Sequence, residues 1–394
     1  MSITLDGTNG ITTPDVDSSG PITGTVGTFS SSVRTNSYLD ASGGNSATIN
    51  GIVPTNGAVY YSQDAEPSSP PNGALWFQPS TFKTFLRSNA IWYDLFGSYA
   101  PNSDAGVFGG GYPTGTTSAV MDYITIKTLG SATTFGNLTG ARGDLAGVSS
   151  GTRGVFGGGY LSTYSAVMDY ITIATAGNAT SFGNLTVARY QLAGISNATR
   201  GVFGGGSNGT RSLVIDYITI ATAGNAVNFG NLTVARTGLA GVSDATRGVF
   251  GGGSPSAGSA NTMDYITVAT AGNATNFGTL SVQRYFLAGV SNATRGVFGG
   301  GYAGSASLAV MDYITVATAG NATTFGNLAG IQEQLAGVSN ATRGVFGGGY
   351  SSSVYASVTW TSYITVATAG NSTAFGGLTV ARQSLAGVSG TIPT

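Results

Sequence analysis

Short runs of apolar and β-branched residues alternate with polar, glycine-containing turns along most of the chain. A unit of four such runs is repeated, typified by GVFGGG (154–159), MDYITI (168–173), TSFGNL (180–185) and YQLAGIS (190–196). Alternation of apolar and polar positions over short segments predicts β-strands, and the Gly, Asn and Ser between them favour tight turns. Each unit is therefore predicted to be a four-stranded antiparallel sheet.

The GVFGGG segment recurs six times at an almost constant spacing. Its copies begin 47 or 48 residues apart, at Gly106, Gly154, Gly201, Gly248, Gly296 and Gly344. A period of this length with four strands per unit is typical of the blades of a β-propeller. The sequence thus predicts an all-β protein in which residues 104–394 form a six-bladed β-propeller.

The order of segments at the two ends of the array predicts how the ring closes. A small-residue segment, LAGVS or LAGIS, precedes every GVFGGG copy except the first, and a final copy ends the array at residues 385–389. Small residues suit an innermost strand close to the propeller axis. We expect this C-terminal strand to pair with residues 106–111 and complete blade one, which leaves no open sheet edge.

The repeated unit resembles the kelch repeat. The shared features are Arg189 before a small-residue strand, the glycine pair 157–158 at the end of a strand, the Asp-Tyr pair 169–170, and an aromatic strand. Kelch blades usually carry Trp in the aromatic strand, where this unit has Phe182. The resemblance covers residues 104–394 and implies a six-bladed, kelch-like β-propeller.

The first hundred residues have a different character. Residues 1–56 are rich in Gly, Ser, Thr and Asn and are predicted to form an extended segment that becomes ordered against a partner. Residues 57–100 hold four aromatic strand candidates and are predicted to form a small β-meander, which is marginal alone unless it docks or trimerises. The four candidates are residues 58–62, 74–78, 82–87 and 90–95.

Composition narrows the functional classes. The chain has no Cys and no His, which excludes disulfides, thiolate zinc sites, His-ligated metals and imidazole-based triads. We expect no metal and no cofactor. With 15 basic and 16 acidic side chains, it lacks the positive surface that nucleic acids require. No apolar run approaches the ~20 residues of a membrane span, so we expect no membrane insertion.

Charged side chains that recur from unit to unit are interpreted first as structural. We expect them to join strands and blades, because the guanidinium group bridges carbonyls and carboxylates well; a ring of substrate-binding arginines is the alternative. The recurring residues are Arg153, Arg200, Arg247, Arg295 and Arg343 before GVF, Arg142, Arg189, Arg236, Arg284 and Arg382 after the aromatic strand, and Asp122, Asp169, Asp216, Asp264 and Asp312 before Tyr.

Positions at which the six copies differ are the better candidates for binding, since a scaffold repeats while a site on it need not. The copies differ in the loop after GGG and in the residue pair before each LAGVS segment, and we expect both regions to open on one face. Aromatic rings there can stack on sugar rings; ordinary loop variation is the alternative. The candidate residues are Tyr112, Asp144, Tyr160, Tyr164, Tyr190, Arg211, Tyr285, Phe286, Tyr302, Glu333, Tyr350, Tyr355 and Trp360.

An enzymatic alternative remains open on this face. Asp144 and Glu333 lie at similar positions in different units, and two carboxyls facing each other across the channel mouth could act as the acid and base of a glycosidase. The Asp-containing box of six-bladed sialidases is absent from the sequence. The leading interpretation is therefore a protein without enzymatic activity. A polysaccharide depolymerase is the less favoured hypothesis.

The near-identical GVFGGG and YITIATAGNAT segments are similar to repeats in predicted tail-fibre proteins of tailed bacteriophages, including those of cyanobacteria. Residues 3–16 are similar to the N-terminal segments of phage tail-fibre and tail-collar proteins. The segments PNGALWF (71–77) and AIWYDL (90–95) are similar to small modules of phage fibres. The resemblance implies a virion structural protein, assembled in the host cytoplasm and exposed on the particle.

Within that resemblance, residues 1–56 would attach to other tail or baseplate proteins, and the chain would be a homotrimer. The propeller would act as a tail fibre or receptor-binding adhesin that recognises a host surface glycan or protein. A purely architectural role in the tail, the baseplate or a capsid decoration is the alternative.

Overall fold

The computed structural model describes residues 104–390 apart from 256, 257 and 259, together with parts of the stretch 60–94. The chain divides into two units, Met1–Tyr99 and Ala100–Thr394. Every regular element in the described residues is a β-strand. The predicted attachment segment, residues 1–56, lies outside the described residues.

The first unit contains a four-stranded sheet in the order β1-β2-β3-β4, with Trp76 of β2 stacked on Phe85 of β3 at 4.8 Å between ring centroids. All four predicted strands are present, as β1 (Tyr60–Ser62), β2 (Leu75–Gln78), β3 (Lys83–Ser88) and β4 (Ile91–Asp94). Strands β2 to β4 form the expected antiparallel meander, whereas β1 pairs with β2 in parallel. The twelve residues between β1 and β2 explain the difference, because a parallel pair needs a connection of about this length.

The second unit is a ring of six four-stranded antiparallel blades, as predicted. Blade 1 has the spatial order β30-β5-β6-β7, with β5 (Ala105–Gly109), β6 (Val120–Thr125), β7 (Thr133–Asn137) and β30 (Ala386–Ser389). In blades 2 to 6 the chain runs from the innermost strand outwards. Blade 2 consists of β8 (Ala146–Ser149), β9 (Arg153–Gly157), β10 (Val167–Thr172) and β11 (Thr180–Asn184), and blade 3 of β12 (Ala193–Ser196), β13 (Arg200–Gly204), β14 (Val214–Thr219) and β15 (Val227–Asn231). Blade 4 consists of β16 (Ala240–Ser243), β17 (Arg247–Gly251), β18 (Thr262–Thr267) and β19 (Thr275–Thr279), and blade 5 of β20 (Ala288–Ser291), β21 (Arg295–Gly299), β22 (Val310–Thr315) and β23 (Thr323–Asn327). Blade 6 consists of β24 (Ala336–Ser339), β25 (Arg343–Gly347), β28 (Trp360–Thr365) and β29 (Thr373–Gly377), with an extra hairpin of β26 (Tyr350–Ser351) and β27 (Ala356–Ser357).

The predicted closure of the ring is confirmed. The C-terminal strand β30 pairs antiparallel with β5, from Ala386 opposite Gly109 to Ser389 opposite Gly106. Its neighbours on the two sides are the inner strands of blades 6 and 2. Blade 1 is therefore built from both ends of the propeller sequence, and opening it would separate strands that are far apart in the chain.

Glycine at the centre of each inner strand permits the blades to meet at the axis. A Cβ atom on any of these glycines would lie only 2.1 to 2.3 Å from the carbonyl oxygen of the equivalent glycine in the preceding blade. No other residue fits such an approach. The six residues are Gly147, Gly194, Gly241, Gly289, Gly337 and Gly387.

A second closed ring is formed by the serine two residues further along each inner strand. The backbone N–H of each serine donates to the Oγ of the serine in the next blade, at N···O distances of 2.9 to 3.4 Å. The last of these bonds runs from Ser389 to Ser149 and so links the C-terminal strand to blade 2. The members are Ser149, Ser196, Ser243, Ser291, Ser339 and Ser389.

The hydrophobic core lies between successive blades. The phenylalanine of each GVFGGG segment is fully buried, and its ring packs against the first of the three final glycines in the preceding blade. At Gly109, for example, an added Cβ would come within 2.9 Å of the ring of Phe156. The repeated glycine thus makes room for the ring of the neighbouring blade.

Buried ion pairs cross five of the six blade junctions, which confirms the structural interpretation of the recurring charges. In the first junction, Arg142 donates to Asp169 at 2.7 Å and to the carbonyl of Phe156, and Thr139 donates its hydroxyl to the same carboxylate. The other pairs have N···O distances of 2.7 to 3.1 Å and are Arg189–Asp216, Arg236–Asp264, Arg284–Asp312 and Arg382–Asp122.

The junction between blades 5 and 6 replaces all three members of this cluster with neutral residues. Ala329 stands at the threonine position, Gln332 at the arginine position and Ser362 at the aspartate position. Gln332 is buried and keeps one of the arginine's bonds, donating its Nε2 to the carbonyl of Gly348 at 2.7 Å. The substitution of the whole set avoids leaving one buried charge without its partner.

The neutral junction predicts what happens when its Ala, Gln and Ser are introduced at another junction. D264S alone should destabilise the propeller by about 3 to 5 kcal/mol, because it leaves Arg236 buried and unpaired. The triple variant T233A/R236Q/D264S should cost far less, since it reproduces a set that the chain already tolerates. Urea denaturation of both variants measures the difference. Equal destabilisation by the single and triple variants would contradict this account.

Removal of the closing strand tests the ring itself. Deletion of residues 385–394 removes β30 together with the buried side chains of Leu385 and Val388. Each of these side chains contributes about 1.5 to 3 kcal/mol by burial, and the lost pairing adds to that, so the loss is comparable to the ~5 to 15 kcal/mol of a whole domain. We expect no cooperative thermal transition. Deletion of residues 391–394 alone is the control and should leave the transition in place.

Candidate functional site

The two variable regions of the repeat lie side by side at one end of the blades. In each blade, the first residue of the pair before the inner strand forms a β-bridge with the residue that follows GGG. The bridges are Gln383 with Tyr112, Gly143 with Tyr160, Tyr190 with Ser207, Thr237 with Ser254, Tyr285 with Tyr302, and Glu333 with Tyr350. This end of the propeller, with its central opening, is called the mouth face below.

The second residue of each pair forms a closed ring of backbone hydrogen bonds around the opening. The N–H of each donates to the carbonyl of the equivalent residue in the preceding blade, at 2.7 or 2.8 Å. The ring requires a left-handed backbone, and φ lies between 54° and 68° at all six positions. The residues are Asp144, Gln191, Gly238, Phe286, Gln334 and Ser384.

Sequence reasoning identified these positions as variable but missed what they share. Their side chains range from carboxylate to phenyl, so no residue type signals the left-handed backbone, which non-glycine residues adopt rarely. The ring surrounds a cavity of about 130 Å³ whose wall continues into the Leu-Ala-Gly residues of the inner strands. Phe286 covers Gly238, where an added Cβ would come within 3.0 Å of its ring. The opening is therefore narrow, and the ring carries four different side-chain chemistries, carboxyl, amide, phenyl and hydroxyl, and one glycine.

A cluster of tyrosines occupies the part of the mouth face formed by blades 1 to 3. Tyr164 stacks on Tyr190 with 5.5 Å between centroids and 14° between planes, and Tyr160 lies within 5.8 Å of both. Tyr112 donates its hydroxyl to the carbonyl of Tyr160 at 3.3 Å. The ring of Tyr112 occupies the space that a side chain at position 143 would need, and only glycine fits there. Tyrosines of three neighbouring blades thus meet on the mouth face.

Asp144 lies beside Tyr112 of this cluster. Burial raises the pKa of its carboxyl to about 6, and the polar side chains of Ser384, Tyr112 and Gln191 beside it lower that value only in part. Burial, followed by the charge of Asp144, raises the pKa of the Tyr112 hydroxyl. The hydroxyl of Thr237 donates to Oε1 of Gln191 at 3.0 Å and orients that amide. A polar network therefore links side chains of blades 1 to 4 around the mouth.

A second aromatic cluster with a carboxyl lies on blades 5 and 6. The rings of Tyr285 and Phe286 are 4.6 Å apart, and Tyr302 meets Tyr285 edge-on at 5.5 Å. Burial raises the pKa of Glu333 to about 7, opposed by the neighbouring hydroxyl of Ser307. The pKa of Tyr285 is raised by burial and then by the charges of Tyr302 and Glu333. The mouth face therefore carries two aromatic clusters, each with one carboxyl.

The two carboxyls have separate surroundings. Asp144 interacts with side chains of blades 1 and 3, whereas Glu333 interacts with Ser307 and Tyr285 of blade 5. In the ring, blade 1 lies between blade 2, which carries Asp144, and blade 6, which carries Glu333. The described contacts therefore do not join the two carboxyls in one cluster.

The remaining candidate residues have individual environments. Arg211 donates to the carbonyl of Ser254 in blade 4 at 2.9 Å and so joins two blades. Tyr350 exchanges two backbone hydrogen bonds with Glu333. Tyr355, at the tip of the β26–β27 hairpin, is 81% exposed and has a φ of 51°. Trp360 is 40% exposed and covers Gly330 at the neutral junction, where an added Cβ would come within 3.1 Å of its ring.

Searches of the sequence against protein-family models and against curated protein sequences return no match. The part of the chain that the structure describes contains no group of three or more acidic side chains arranged to hold a metal ion. Across those same residues there is no helix long and apolar enough to cross a bilayer. The description of the mouth face therefore comes from its structure alone. It is an aromatic and hydroxyl-rich surface with two partly buried carboxyls.

The two carboxyls predict a specific pH dependence of stability. Their pKa values in the folded protein, about 6 for Asp144 and about 7 for Glu333, exceed the ordinary values of 3.8 and 4.5 that unfolding restores. At pH values between the unfolded and folded pKa values, the folded state therefore binds more protons than the unfolded state. The free energy of unfolding consequently falls as the pH rises from about 4 to 7. D144N/E333Q should flatten this decline, measured by urea denaturation across that range. An unchanged decline in the variant would contradict the assigned environments.

Proposed function

We propose that this chain is a non-enzymatic adhesin of a bacteriophage particle, a tail fibre or receptor-binding protein whose propeller binds a glycan or protein on the host surface. The observation that carries the proposal is the mouth face. Aromatic and polar side chains are gathered there at positions that vary among otherwise near-identical blades. A repeated scaffold with variation confined to one surface is the arrangement that a recognition protein requires.

The chemistry of the mouth face favours a carbohydrate. Tyrosine rings stack on the apolar faces of sugars, while carboxyl, amide and hydroxyl groups accept and donate hydrogen bonds to sugar hydroxyls. The stacked pair Tyr164 and Tyr190 supplies the rings, and Asp144 and Gln191 supply polar groups on the same face. Each contact of this kind is weak, so several copies per particle would provide the avidity.

The place in the particle rests on the resemblance of residues 3–16 and of the repeats to phage fibre proteins. Residues 1–56 would attach the chain to other tail or baseplate proteins, and a homotrimer would present three propellers. The virion location follows from the same proposal. Hydrolysis is the less favoured alternative because the contacts of Asp144 and of Glu333 lie in different clusters.

A binding experiment with the full chain tests the proposal. The protein should bind selected bacterial glycans on an array, and Y164A and Y190A should each weaken binding about tenfold through loss of stacking. L129A is a matched control, because Leu129 is 54% exposed but lies in the turn at the other end of the blade.

The outcomes separate the functional classes. Weaker binding in the tyrosine variants but not in L129A supports recognition through the mouth face. Equal binding by all three variants would contradict that assignment. Failure to bind any host glycan or host cell would favour an architectural role in the tail, baseplate or capsid. Shortening of host polysaccharide that is lost in D144N or E333Q would instead establish a depolymerase.

A further inference from the structure

The loop after GGG in blade 3 is short and exposed, and its two ends are fixed. Residues 208–211 are exposed, whereas Ser207 is buried and pairs with Arg211 in a β-bridge. Arg211 in turn donates to the carbonyl of Ser254 in blade 4. Within the loop, the N–H of Asn208 donates to the carbonyl of Thr210 at 3.2 Å. Residues 208–210 therefore form a tight turn that is held at both ends.

The side chain of Asn208 is folded back over this turn. Its Oδ1 accepts from the hydroxyl of Thr210 at 3.1 Å and from the N–H of Thr210 at 3.4 Å, which is an Asx turn. The intervening N–H of Gly209 donates to the Oγ of Ser207 at 3.1 Å. The Asx turn thus holds the Asn208 carboxamide beside the backbone nitrogen of Gly209, with a hydroxyl donor on the carboxamide oxygen.

An asparagine followed by glycine is reactive in such a turn. The backbone nitrogen of the following residue can attack the carboxamide carbon, Cγ, and close a succinimide ring. A side chain on the following residue hinders this attack, and glycine has none. Asn208-Gly209 is the only Asn-Gly pair in residues 104–394, and Gly209 has a φ of 104°, which other residues adopt rarely. Sequence and geometry therefore favour the same reaction at this one position of the propeller.

Three other asparagines make the same turn without the glycine. Asn197, Asn292 and Asn340 each accept at Oδ1 from the N–H and the hydroxyl of a threonine two residues further on, at 2.9 to 3.2 Å. Each of the three is buried, and each is followed by alanine. The chain therefore contains three internal controls that share the hydrogen bonds of Asn208 but neither its exposure nor its neighbour.

We propose that Asn208 is a site of autocatalytic deamidation in the folded propeller. The Gly209 nitrogen attacks Cγ of Asn208 and loses its proton, and the carboxamide nitrogen takes up a proton and leaves as ammonia. Water then adds to either carbonyl of the resulting succinimide and opens it to aspartate or isoaspartate. During the attack, the hydroxyl of Thr210 stabilises the negative charge that develops on Oδ1.

The reaction changes the charge of the mouth face. The new carboxyl is ionised at neutral pH, whereas the carboxamide of Asn208 is neutral. The adjacent Gly209 lies against Tyr164, since a Cβ added there would be 3.3 Å from the tyrosine hydroxyl. Tyr164 belongs to the stacked pair with Tyr190. Deamidation therefore introduces a negative charge one residue from the contact with this aromatic cluster. The reaction itself does not depend on whether the mouth face binds glycans.

Peptide mapping of the full chain by mass spectrometry tests the proposal, after incubation at neutral pH in the folded state and, in parallel, unfolded in urea. In the folded wild type, Asn208 should convert to aspartate and isoaspartate while Asn197, Asn292 and Asn340 stay intact. T210V should slow the conversion about tenfold in the folded chain only, because it removes one hydrogen bond to the developing oxyanion. T199V is the matched control. It removes the equivalent hydroxyl beside Asn197 and should leave the rate at Asn208 unchanged.

The same maps contain the contrary outcomes. If Asn208 stays intact in the folded chain while it converts in urea, the fold protects the residue and the proposal is overturned. Equal rates in the folded wild type and T210V would contradict the role of the Thr210 hydroxyl, and a product without isoaspartate would exclude the succinimide. Conversion of Asn197 at the rate of Asn208 would show that neither glycine nor exposure matters. This last comparison is made within the wild-type chain and does not depend on the folding of any variant.

Discussion

The close approach of six backbones at the propeller axis is the constraint on which this structure depends. Inner-strand glycines meet carbonyl oxygens of the preceding blade at distances that exclude any side chain. Two closed circuits of hydrogen bonds surround the same axis, through the serines at one level and through left-handed residues at the mouth. All three rings have six members, and the C-terminal segment 384–389 supplies the sixth in each, as Ser384, Gly387 and Ser389. The chain therefore reaches its full set of axial contacts only when its last strand pairs with its first blade.

Away from the axis, each blade junction contains either a complete buried ion pair or no buried charge at that position. A hydroxyl residue (Thr, or Ser281 at one junction), Arg and Asp occur together at five junctions and are replaced together at the sixth, as expected when a lone buried charge costs more than the set provides. The arginine that precedes five of the six GVF segments follows a different rule, since it lies over the tyrosine ring of its own blade and donates to backbone carbonyls of the next blade. Ala105 replaces it in blade 1, and the exchange leaves no buried charge unpaired, because this arginine is not paired with a buried carboxylate. The scaffold can therefore lose this arginine at one junction without disturbing the others.

The periodicity of the sequence was sufficient to predict the blade number, the four strands of each blade and the closing strand, because a repeat imposes the same pairing six times. Three features lay beyond that reasoning. The parallel pairing of β1 depends on the path of its connection rather than on its residues. The left-handed ring at the mouth is a backbone property shared by residues as different as Asp144 and Phe286. The gathering of Tyr160, Tyr164 and Tyr190 depends on a contact between neighbouring blades.

The closed ring positions the candidate binding residues, since each aromatic cluster on the mouth face, together with its carboxyl, combines residues of neighbouring blades. Amide hydrogen exchange of the inner-strand residues tests that closure most directly. The account predicts that the amides of Gly387 and Ser389 in β30 exchange as slowly as those of Gly241 and Ser243 in β16, because both strands occupy equivalent places in one cooperative ring. Exchange in β30 at the rate of an unpaired chain end, with β16 still protected, would contradict a closed six-bladed ring.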